Sequence, residues 1–152
     1  MDIVSNGKIF SDRQIIGFVN LLGTDYRPRR IIIYESRLDI IRFYPRCFNF
    51  SFEELLGKLE GTYDESNDTA YICVFAQNDD GDDVHSKQLY SLHALAHELR
   101  HRYQALKGLY ADDDEMSEVD ADRFATNFIN RNSYNISKIM GWKEEWTVEE
   151  GD

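Results

Sequence analysis

Two histidines four positions apart, with a glutamate directly after the first, give the segment His97-Glu98-Leu99-Arg100-His101 inside a stretch rich in helix formers. On an α-helix, residues four apart are offset by about 40° and rise by about 6 Å. Two imidazoles can therefore converge on one ion at Zn–N distances of about 2.0–2.1 Å. Glu98 points to the side of the ion where a water would bind, and it can take that water's proton. Such a set is suited to metal-assisted hydrolysis with a carboxylate base.

A catalytic zinc site needs a third protein ligand and one open position. The chain offers Glu115-Met-Ser-Glu118-Val-Asp-Ala-Asp122-Arg-Phe124-Ala125, acidic on one face and apolar on the other. Glu118 and Asp122 are again four apart, so one can bind metal while the other accepts a hydrogen bond from the second ring nitrogen of a ligand histidine. Glu115 is a further candidate ligand. His93 extends the ladder by one turn, but His93 to His101 is a rise of about 12 Å, too long for one ion, so His93 reads as a packed or supporting histidine. His85 lies where the chain enters this helix.

Several elements must position these groups. The helix carrying the two histidines is expected over residues 86–106, with Gly108 to end it. A second helix over 115–130 is expected to bury Val119, Phe124, Ala125 and Phe128. Its acidic lead-in, Ala111-Asp-Asp-Asp-Glu115, suits the positive end of a helix dipole. Residues 69–77, Thr-Ala-Tyr-Ile-Cys-Val-Phe-Ala-Gln, form the clearest strand pattern. The run Asn78-Asp-Asp-Gly-Asp-Asp83 after it reads as a solvated turn, since it lacks the ligand order of a calcium loop. Upstream, Ser11 can cap a helix to Leu22 with Ile15, Ile16, Val19 and Leu22 on one face. Residues 30–35 read as a strand, and Ser51 with Glu54 has the order of a capping box for a short helix. Ile136, Ile139, Met140, Trp142 and Trp146 suggest a packing helix, followed by an acidic tail over about 144–152 that frays.

The chain has 152 residues, enough for one self-supporting core, and its aromatic content of 13% is too high for a disordered segment. No linker or repeat divides it, so residues 1–152 read as a single α+β domain, with an N-terminal helix/strand part to about 70 and the zinc-site helices over about 86–130. Seventeen basic against twenty-eight acidic residues leave a net charge of -11, which argues against nucleic acid and anionic membranes as partners. Cys47 and Cys73 sit among aromatic and β-branched neighbours and read as buried thiols. The start, Met-Asp-Ile-Val-Ser-Asn-Gly-Lys, lacks the order of a signal peptide, and no apolar run is long enough to span a bilayer. A cytoplasmic protein is expected.

The pairing of His-Glu-Leu-x-His with a downstream Glu-x-x-x-Asp helix resembles the gluzincin metallopeptidases, of which thermolysin is a member. The pattern Glu118-x-x-Ala121-Asp122-x-Phe124-Ala125 also resembles the ImmA/IrrE group of small phage and mobile-element peptidases, which cleave repressors. Arg100 stands where that group usually has glycine, and Asp122 where it usually has asparagine. The resemblance covers about residues 90–130. It implies a zincin-like fold, a mixed sheet of a few strands on the motif helix, and one zinc per chain held by His97, His101 and Glu118. It further implies Glu98 as general base, Asp122 orienting a ligand histidine, and a protein or peptide substrate added to the edge of the 69–77 strand. Gluzincins also carry an oxyanion-stabilising group, for which Tyr110 is the candidate, with Tyr103 and His85 behind it. The alternative is a catalytically silent zinc-binding regulatory or interaction domain.

Overall fold

The structure is a computed structural model that describes residues 1–43, 60–76 and 83–150. In chain order these residues form β1 (Asp2–Val4), α1 (Asp12–Leu22), β2 (Arg30–Tyr34), α2 (Arg37–Arg42), β3 (Gly61–Asp64), β4 (Thr69–Cys73), α3 (Val84–Lys107), α4 (Asp114–Arg131) and α5 (Ser133–Met140). The expected helix at Ser51, Cys47 and the acidic turn at 78–82 lie outside the described residues. The architecture is α+β. No helix among the described residues is long and apolar enough to cross a membrane.

The sheet order is β1-β2-β4-β3, with β1/β2 and β2/β4 parallel and β3/β4 antiparallel. Strand periodicity sorts the central side chains between two faces. Ile31, Ile33, Ala70 and Ile72 pack with Leu92, Leu95 and Leu99 of α3 and with Ile15, Phe18 and Val19 of α1. Ile32, Tyr34, Tyr71 and Cys73 face the other way, against Val4, Ile40, Phe43 and Phe75. Burial on both faces explains the unbroken apolar runs in β2 and β4. Burying each Leu or Ile stabilises the fold by roughly 1.5–3 kcal/mol. Burial pushes the Cys73 thiol up to about 12, against the opposing charge of Arg37.

Four expectations are corrected. The 69–77 strand stops at Cys73 and becomes a 3-10 turn over Val74–Ala76, because its parallel partner β2 ends at Tyr34, opposite Cys73. Ile16 is exposed, and Phe18 takes its place in the core beside Ile15 and Val19, as the i, i+3, i+4 rule requires. Val119 is exposed too; α4 buries Ala121, Ala125 and Ile129, which recur every four residues on its inner face. The tail is anchored at least to Val148, which is buried, with its N–H donated to Asn130 Oδ1 at 2.8 Å and its carbonyl accepting from Asn130 Nδ2 at 2.9 Å.

The expected cap at Ser11 forms, and two aspartates cap the later helices. Ser11 and Gln14 form a capping box on α1, Asp83 caps α3 by accepting from His85 N, and Asp113 caps α4 by accepting from Met116 N. Gly17 lets α5 approach α1, since a Cβ there would meet Ile139 at 3.0 Å.

Candidate metal centre

Helix α3 ends at Gly108, whose φ of 66° only glycine adopts without strain. Leu109 N donates to Gln104 O at 2.9 Å and Gly108 N to Ala105 O at 3.3 Å. The chain reverses over residues 109–113 and returns as α4. The buried alanines Ala121 and Ala125 allow the two helices to pack closely. Residues 117–122 consequently run beside residues 97–104, which is what unites the candidate ligands.

The two imidazoles converge. His97 Nε2 and His101 Nε2 are 3.2 Å apart, and the Glu118 carboxylate meets both, Oε2 at 3.1 Å from His97 and Oε1 at 2.9 Å from His101. A tetrahedral zinc with bonds of about 2.0–2.1 Å has ligand–ligand edges of about 3.3–3.4 Å, so these three groups already lie close to one triangular face of such a shell. Two neutral imidazoles and a carboxylate are a donor set that fits zinc and leaves a fourth position open. Glu118 is 61% exposed and reaches in from the rim, while the His97 and His101 side chains are 13% and 18% exposed.

Supporting contacts fix the rings. His97 Nδ1 donates to Asp122 Oδ1 at 2.7 Å, which directs its Nε2 toward the centre. His101 Nδ1 lies 2.9 Å from Gln104 Oε1. His93 Nε2 is 3.0 Å from Thr126 Oγ1, one turn behind the ligand pair, and burial holds its pKa below the ordinary imidazole value. Glu98 sits beside the pair, with ligand atoms of His97, Glu98 and His101 all within 4.8 Å of one another. Only 8% exposed, its carboxyl is pushed up to about 7, chiefly by burial; His97 opposes this, and the carboxylates of Glu118, Asp122 and Glu60 add to it.

The opposite wall of the cleft is β3. Glu60, Gly61, Thr62 and Tyr63 line it across from Ser117, Glu118 and Asp122, enclosing about 680 Å³. Gly61 makes this possible. A Cβ there would lie 2.8 Å from the Tyr71 carbonyl oxygen and 3.2 Å from Glu98 Cγ, so glycine lets the strand settle directly over the buried glutamate. β4 is paired on both sides and cannot be the rim strand expected from the 69–77 pattern; among the described residues β3 holds the edge. The signal available for this hairpin was the turn-type segment Glu65-Ser-Asn-Asp68, in which Ser66 N donates to Asp64 Oδ1 at 3.0 Å to tighten the turn.

The candidate oxyanion groups are not brought to the cleft. Tyr110 lies in the α3–α4 connection with a φ of 60° and is not among the lining residues. Tyr103 stacks on Tyr26 at 5.1 Å, and His85 stacks on Trp146 at 5.9 Å. The tyrosine that does line the cleft is Tyr63, whose hydroxyl donates to Asp68 Oδ1 at 2.6 Å. Glu115 is likewise absent from the lining residues, whereas Asp114 is among them. No family model, curated protein or solved structure matches the chain.

Proposed function

We propose that the chain is a zinc-dependent peptidase of the gluzincin kind with a zincin-like fold, holding one zinc through His97, His101 and Glu118. The observation that carries this reading is the approach of both Nε2 atoms and one carboxylate to within 3.2 Å of one another beside a buried glutamate. A structural zinc site would fill all four positions with protein ligands, whereas three ligands facing an open cleft leave room for chemistry. When bound, zinc supplies Lewis acidity, lowering the pKa of a water and polarising a carbonyl.

The remaining work falls to this chain's own side chains. Glu98 takes the proton of the attacking water and delivers it to the leaving amine, so that the C–N bond breaks without releasing an amide anion. Asp122 holds the His97 ring by its Nδ1–H. The outer edge of β3 at Thr62 and Tyr63, which no strand among the described residues pairs, offers main-chain N–H and C=O groups to an extended peptide running past Glu98. The likeness of the Glu118–Ala125 segment to the ImmA/IrrE group makes a regulatory protein the natural substrate class.

A second reading is a zinc-binding regulatory domain without turnover. It is favoured by the positions of Tyr110, Tyr103 and His85, none of which lines the cleft. Glu98→Gln separates the two. With zinc-loaded protein and an unstructured protein substrate, the peptidase reading expects cleavage by wild type and its loss in the variant, with zinc content unchanged. No cleavage of any of a broad peptide set by zinc-loaded wild type would contradict it.

A further inference from the structure

We infer that Gln104 is a positioning residue that fixes the tautomer of His101 through a half-buried relay beginning at Arg100. This rests on the metal-centre reading above. Gln104 is 3% exposed, one turn after His101 on α3. Its Nε2 donates twice, to the Ser117 carbonyl at 2.9 Å and to Asp120 Oδ2 at 2.8 Å. Both partners are pure acceptors, so the carboxamide cannot be turned over without setting oxygen against oxygen. Its Oε1 must therefore face the other way, where it accepts from Ser117 Oγ at 2.6 Å and from His101 Nδ1 at 2.9 Å.

An acceptor at Nδ1 draws the proton there, against the pull of Glu118 Oε1 at 2.9 Å from Nε2 until a metal takes that position, and so turns the Nε2 lone pair toward the centre. Ser117 Oγ, 3.1 Å from the same nitrogen, has given its proton to Gln104 and can only reinforce this choice. The far end of the relay is equally constrained. Arg100 Nε and Nη2 bind the two oxygens of Asp120 at 2.7 and 3.2 Å, while Nη1 donates to Tyr26 OH at 2.7 Å. The guanidinium lies over the rings of Tyr103, at 4.3 Å, and Phe124, at 4.6 Å. A permanently charged arginine held on three sides leaves Asp120 a single position, and that position sets Gln104.

The two ligand histidines are thus held by different means. Asp122, which orients His97, is 68% exposed, while the group that orients His101 is buried and neutral.

The test is Gln104→Met, which keeps the volume of the side chain and removes both amide functions. In zinc-free protein, at a pH where imidazoles are neutral, the ring ¹⁵N resonances of His101 should report the Nδ1–H form in wild type and a mixture with the Nε2–H form in the variant. Zinc affinity, measured by competition with a chromophoric chelator, should fall about 10- to 100-fold. A folded variant with unchanged tautomer and unchanged affinity overturns the inference. If Gln104→Met does not fold, Asp120→Asn reads the relay one bond further out, and an unshifted His101 tautomer there overturns it as well. Wild type that binds no zinc but carries His101 as Nδ1–H would refute the peptidase reading while supporting the relay.

Discussion

The face of α3 that meets the sheet and the face that meets α4 are built from different side chains. Leu92, Leu95 and Leu99 pack on Ile31, Ile33, Ala70 and Ile72, a dry interface in which contact is non-directional and many arrangements of similar volume would serve. His93, His97, Arg100, His101 and Gln104 meet Ser117, Glu118, Asp120, Asp122 and Thr126 through hydrogen bonds between about 2.6 and 3.2 Å, where every donor must find an acceptor. The first interface offsets the desolvation cost of the second. One 24-residue helix can carry an exacting polar site because its opposite side is anchored by contacts that do not depend on that site.

If this division is correct, substitutions on the two faces should separate into losses of function and losses of stability. The largest effect belongs to Glu98→Gln, which should reduce peptide turnover by about 10²- to 10⁴-fold, with thermal unfolding and zinc content close to wild type. Next is Leu95→Ala on the sheet face, expected to cost about 2–5 kcal/mol in chemical denaturation while leaving the zinc affinity of the folded protein unchanged. A change in affinity there would break the division. Asp122→Ala should weaken zinc binding about tenfold, at the low end for a group that orients a ligand, because the carboxylate is mostly exposed. Its stability should stay within about 0.5 kcal/mol of wild type.

The smallest effect is a dependence on acid. For Asp68 and Asp120, burial raises the carboxyl pKa, but it is outweighed for Asp68 by hydrogen bonds from Arg102 and Tyr63, and for Asp120 by those from Arg100 and Gln104. Both end below the ordinary carboxylate range. A lowered folded-state pKa contributes stability that is present above the unfolded value of about 3.9 and lost as pH falls through the folded value. Denaturant midpoints should therefore drop below about pH 4, and Asp120→Asn should flatten that part of the profile.

Local features were readable from sequence because their rules are local. The cap at Ser11, the stop at Gly108 and the i, i+4 spacing of His97 and His101 each depend on a few neighbouring residues. The position of β4 between β2 and β3 was not readable, since parallel pairing joins residues about forty apart, as in Ile31 with Ala70. β3 is only four residues long and ends in aspartate, so it lacked the apolar run that marked its partner. Gln104 and Asp120 gave no signal at all. Their types are ordinary, and their role emerges only when Arg100 is seen pinned between Asp120, Tyr26 and two aromatic rings. Tyr110 shows the complementary case, since closeness in sequence to both ligand segments does not place it among the residues that line the cleft.

The three-ligand centre is tested most directly by elemental analysis of protein purified without added zinc, on wild type and Glu118→Ala in parallel. The expected result is about one zinc per chain in wild type, lost or much weakened in the variant. Wild type that holds no zinc even when it is supplied, or a variant that retains it undiminished, would contradict the assignment of His97, His101 and Glu118.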